Sequence, residues 1–123
     1  MRAAGWESRL DGVLLRWRDG GNGDCAAFAL DAMAAMRGRA AFICGTGSWR
    51  GRAAAFRRLG ARSMEAAAAA LMGASFDPIR AEAGDIVIVG RAFGVVIGDR
   101  AAFLGSGRLT LLSLPAATAA WRP

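Results

Sequence analysis

The sequence contains no histidine, lysine, tyrosine or glutamine. Without histidine no imidazole base can take part in catalysis, and no metal can be held through imidazole ligands. The one side chain whose ordinary titration falls between pH 5 and 8 is missing, which excludes the usual pH switch. Two cysteines, Cys25 and Cys44, are too few for the disulfide framework of a small secreted domain. Their spacing leaves open whether they bridge. No apolar run approaches the ~18 residues of a membrane span; the stretch from Ala66 to Met72 is short and mostly alanine. Arg2 is followed by Glu7, Arg9 and Asp11 with no apolar segment between, so the beginning of the chain does not read as a signal peptide. The expectation is a soluble chain made in the bacterial cytosol.

What is abundant is alanine, glycine and arginine. The chain has 123 residues, the length of one ordinary domain. All 16 basic side chains are arginine and the formal net charge is +6. Such a balance suggests an anionic partner. The arginines are scattered, however, and the tightest groups are Arg16/Arg18, Arg50/Arg52 and Arg57/Arg58. A solvated surface in which arginine replaces lysine is therefore the preferred reading over an anion-binding face.

The first half reads as helical. Trp6, Leu10, Val13, Leu14 and Trp17 fall on one face of a 3.6-residue period. A glycine-rich loop, Asp19 to Gly23, then leads to Asp24, a plausible N-cap for a helix from Cys25 to Met36 with Phe28, Ala29, Ala32 and Met36 on its apolar face. Ser48 and Ser63 are caps for two further expected helices, Trp49 to Leu59 and Met64 to Met72. From Gly84 the character changes. Asp85 to Val89 and Phe93 to Ile97 are β-branched runs, Ala101 to Leu104 and Leu109 to Leu112 are shorter strand candidates around Gly105-Ser106-Gly107, and Ser113 to Trp121 reads as a closing helical turn. Helices first and a small antiparallel sheet second describe an α+β domain.

Three blocks stand in order along this frame: Gly21-Asn22-Gly23-Asp24-Cys25 at a helix start, with Phe28 and Asp31-Ala32 following; Ala81 and Gly84-Asp85-Ile86-Val87 at the entry to the sheet; and the strand Phe93-Gly94-Val95-Val96-Ile97-Gly98, with Trp121-Arg122 at the tail. Together they resemble the NlpC/P60 branch of the papain-like cysteine hydrolases, and more closely a small phage-borne domain of unknown function related to it. The resemblance runs from about Leu10 to Trp121 and implies a single NlpC/P60-like domain over residues 1–123, with N-terminal helices packed on a small C-terminal antiparallel sheet. It assigns Cys25 to the nucleophile position. A cysteine in the first turn of a helix meets free amides and the positive end of the helix dipole, which favours the thiolate nucleophile. Without the resemblance, a buried small apolar residue is the preferred reading of Cys25.

The departure is at the base. In the family the catalytic histidine stands two residues before the first glycine of the strand, and here that position is Ala92. The third polar member would lie near Ala102 to Leu104, all apolar. Arg91 stays protonated and cannot act as base, although turned inward it would stabilise a thiolate. Asp24 and Asp85 are supporting candidates, Asp85 chiefly as a turn carboxylate bonding backbone amides. Asp99 would have to come within about 3 Å of the sulfur to act on it. Of the tryptophans, Trp17 is expected in the core or at a subunit contact. Trp49 and Trp121, with Arg50, Arg52, Arg57 and Arg58, are interface candidates.

The leading expectation is a structural or assembly component of a phage or phage-derived tail, at the distal tail or tail tip. It would have no hydrolase activity of its own and would contact other tail and virion proteins. The alternative is a cysteine peptidase or amidase acting on the peptide of cell-wall peptidoglycan, with nucleophile Cys25 and a base supplied by a partner subunit. A nucleic-acid-binding module is the weakest reading, since only the net charge favours it. No cofactor or metal is expected.

Overall fold

A computed structural model describes residues 2–19, 25–38, 60, 62–105 and 108–123. Among the described residues three α-helices come first: α1 Trp6–Trp17, α2 Cys25–Arg37 and α3 Met64–Met72. Five strands follow: β1 Ile86–Val89, β2 Ala92–Ile97, β3 Arg100–Gly105, β4 Arg108–Ser113 and β5 Ala119–Trp121. They form one antiparallel sheet in the order β4-β3-β2-β1-β5. The chain is α+β, with helices before sheet. The helix expected from Trp49 to Leu59 lies outside the described residues.

The helices form where the sequence periodicity places them. Leu10 and Val13 of α1 are buried, and Trp6, Leu14 and Trp17 pack against them. On α2, Phe28, Ala29, Ala32 and Met36 are all buried. Asp31 ties the two helices together, accepting from Trp17 Nε1 at 2.8 Å and Arg16 Nη2 at 3.1 Å. α3 is capped as its sequence suggests: the Ser63 hydroxyl accepts from the Ala66 amide at 3.0 Å, and Gly73 closes the C-terminus with its amide on the Ala69 carbonyl.

The central strands are buried on both faces, which explains why they are continuous apolar runs rather than alternating ones. Ile86, Ile88, Phe93, Val95, Ala102 and Trp121 face the helices. Val87, Val96, Ala101, Phe103 and Ala120 face the other way, under Phe76, Leu114 and Ala117. Those covering residues belong to two straps, one around the 3-10 turn Pro78–Arg80 before β1 and one around the 3-10 turn Leu114–Ala116 after β4. Gly94 sits opposite Phe103, whose ring lies so close that a Cβ would meet it at 2.5 Å. The first glycine of the strand motif is therefore required by packing.

One expectation is corrected at the C-terminus. Ser113 to Trp121 is not a helical turn throughout: a three-residue 3-10 turn gives way to strand β5. Alanine favours a helix, but two open edges compete for this segment. Thr118 donates its amide to the Ile88 carbonyl at 2.9 Å, and Ala120 exchanges backbone hydrogen bonds with Phe76 at 2.8 and 3.1 Å. Tertiary partners override the local propensity.

Candidate functional site

Cys25 opens α2, and α2 packs across β2 on the helix side of the sheet. The thiol is partly buried and donates to the Arg91 carbonyl, Sγ to O 3.9 Å. The helix start is thus brought to the β1–β2 turn, beside the residue that begins β2. Arg91 itself is exposed. What it offers the sulfur is its backbone oxygen, so the inward-turned guanidinium considered from sequence is not the arrangement found. A carbonyl accepts a hydrogen bond from a thiol but cannot take its proton.

Ala92 is half-buried and packs against the far-side cluster. The two-residue period of a strand groups it with Gly94 and Val96, whereas Phe93 and Val95 face the helices. Its Cβ therefore leaves the sheet on the face opposite α2. Asp99 lies in the turn at the other end of β2 and is exposed. Ala102 and Phe103 are core residues. Asp24, Cys44, Trp49, Arg50, Arg52, Arg57 and Arg58 lie outside the described residues. Trp121 is corrected: it is 1% exposed and packs edge-on against Phe93, with ring centroids 6.4 Å apart, so it belongs to the core and not to an interface.

The strongest polar cluster surrounds Asp85, which is fully buried. Arg2 Nη2 donates to Oδ1 at 2.6 Å. Arg122 forks onto the same carboxylate, Nε to Oδ1 at 3.1 Å and Nη2 to Oδ2 at 2.9 Å. The Glu82 amide donates to Oδ2 at 2.8 Å. Two charges and one turn amide thus satisfy the burial of one carboxylate, as a buried charge requires. The turn-carboxylate role read from the Gly-Asp pair holds, but the two arginines were not foreseen. They come from opposite ends of the chain, and the only signal was the Trp-Arg tail. The hydrogen bonds Arg122 donates to Asp85, and then the Asp85 charge, raise the Arg122 pKa above the usual arginine value; desolvation opposes this and Glu82 adds to it. Gly84 makes the site possible. It adopts φ 88°, and a Cβ there would meet the Trp6 ring at 2.6 Å and the Arg2 guanidinium carbon at 3.1 Å. Arg2 in turn lies 4.3 Å from the centroid of the Trp6 ring.

Among the described residues no three Cys, Asp or Glu side chains gather to hold a metal, and no helix is long and apolar enough to cross a membrane. The class defined by fold and site is an α+β domain with a thiol at a helix start, no histidine, and an arginine-clamped aspartate at the entry to the sheet. A family model described as a domain of unknown function (DUF6950) matches residues 1–123, and the chain belongs to that family. No curated protein and no solved structure matches it.

Proposed function

We propose that the chain is a degenerate NlpC/P60-like domain serving as a structural or assembly component of a phage or phage-derived tail, at the distal tail or tip. The observation that supports the loss of activity in this reading is the surroundings of Cys25; the tail role rests on the resemblance. Its one hydrogen-bond partner among the described residues is the Arg91 carbonyl, and the chain contains no histidine. A nucleophile without a base forgoes about 10²- to 10⁴-fold of general-base catalysis, and members of a dyad fail together. Asp85 is no substitute, because its two oxygens already accept four hydrogen bonds.

Charge suits a docking role. Residues 39–59 carry five arginines, including the interface candidates Arg50, Arg52, Arg57 and Arg58, and no acidic residue. In this reading the chain is made in the bacterial cytoplasm and joins other tail proteins in the particle. Purified particles imaged by electron microscopy and analysed by mass spectrometry should contain it as a structural component. Particles lacking it would refute the proposal.

A second reading keeps the thiol active: a cysteine peptidase or amidase for peptidoglycan peptide, its base supplied by a partner subunit. The observation favouring it is that Cys25 is only partly buried at its helix start. Release of muropeptides by assembled particles, compared between wild type and Cys25→Ala, decides this point. Equal release rejects the second reading, and loss of release in the variant rejects the first.

A further inference from the structure

The strap before β1 and the C-terminal tail enclose an open cleft of about 380 Å³ bounded by Phe76, Arg80, Glu82 and Arg122. Phe76 is its fixed wall, joined to Ala120 of β5 by two backbone hydrogen bonds. Two guanidinium groups approach that one ring, Arg122 at 5.2 Å and Arg80 at 5.8 Å from the centroid. Stacking on an aromatic face holds a guanidinium in place while leaving its in-plane donors available. Arg122 uses Nε and Nη2 on Asp85, and its Nη1 has no partner among the described residues. The Arg80 side chain makes no hydrogen bond or ion pair among the described residues; its interaction is with the ring. The neighbouring acid is Glu82, three-quarters exposed and 3.9 Å from Arg122 Nη2. Ile79, next to Arg80 on the turn, is 86% exposed.

We propose that this cleft binds an acidic segment of a partner protein. The carboxylate of a Glu or Asp lies between Arg80 and the free Nη1 of Arg122, and a neighbouring apolar side chain rests on Phe76. Unspent planar donors match a carboxylate, which accepts them in pairs. Glu82 selects the class of anion. A singly charged carboxylate displaces it from Arg122, whereas a phosphate dianion meets its repulsion at close range. Phe76, an aromatic wall beside the two cations, adds what a free ion does not use and a peptide does. The cleft is formed by residues apart from Cys25, so its occupancy does not depend on the hydrolase ancestry or on tail assembly.

The test is an amide and arginine Nε–H NMR titration of the full chain with three probes: acetyl-Leu-Glu-Leu-amide, its Gln counterpart and inorganic phosphate. The Glu peptide should shift signals of Phe76, Arg80 and Arg122 at millimolar concentration and bind about tenfold more tightly than the Gln peptide, the difference one charge-assisted contact makes. Arg80→Gln, at an exposed position whose side chain makes no hydrogen bond or ion pair among the described residues, should weaken binding about tenfold; Glu82→Gln should tighten it about threefold. No saturable shift, shifts centred elsewhere, equal binding of the two peptides, or an unchanged affinity in Arg80→Gln overturns the proposal. A phosphate response stronger than that of the Glu peptide overturns the assigned partner class.

Discussion

Asp85 shows what one residue can do when its partners arrive from both ends of the chain. Its carboxylate is fully buried and bound by Arg2, Arg122 and the Glu82 amide. Leaving buried charges uncompensated costs about 3–5 kcal/mol. Asp85→Asn should therefore destabilise the fold by up to about that amount in urea unfolding, chiefly because the mostly buried Arg2 then faces a neutral amide. Arg122→Gln should cost clearly less, since the Arg122 side chain is 50% exposed and water replaces part of what Asp85 gave it. Equal losses in the two variants would contradict the clamp as described. At this scale the sequence was half legible. A Gly-Asp pair announces a turn carboxylate that caps nearby amides, and Glu82 fulfils that. Arg2 and Arg122 lie 83 and 37 residues away, and no local pattern carries a pairing over such distances. Trp121 was misread for a related reason. A tryptophan near the chain end carries no periodicity to say which way it faces, and the pairing of β5 with β1 decides it.

At the scale of elements, legibility followed the strength of local chemistry. The amphipathic period of α1, the Ser63 cap and closing Gly73 of α3, and the β-branched runs of β1 and β2 each announce their conformation in the local sequence. β5 is specified by its neighbours instead, because an alanine-rich segment takes whichever hydrogen bonds the fold offers. Two measurements probe these elements. Ser63→Ala should cost about 1 kcal/mol of stability in urea unfolding, the usual value of an N-cap. Gly94→Ala should cost roughly 1–3 kcal/mol by overpacking against the Phe103 ring. In a Phe103→Leu background that penalty should shrink, since the ring that a Cβ would meet is gone. An unchanged penalty in the double variant would mean that backbone conformation, not the ring, fixes glycine at this position.

For the whole molecule the decisive feature is that the sheet has two distinct sides. α1, α2 and α3 cover one side, and Cys25 lies at the start of α2. The two straps cover the other, and Ala92 packs there with Val87 and Val96. The order of motifs in the sequence brings the start of α2 to the start of β2, but order alone does not say from which side of the strand a given side chain leaves. That depends on strand register, set by pairing with β1 and β3. Restoring the missing residue type therefore should not restore a dyad. In a Cys44→Ser background, Ala92→His should leave the rate of Cys25 alkylation by iodoacetamide at neutral pH within about twofold of the parent, because an imidazole on the far face is out of hydrogen-bond reach of the sulfur. A rate increase of about tenfold or more, with a new dependence on pH near the ordinary histidine range, would show that the imidazole reaches the thiol and that the two sides are less separate than the register implies.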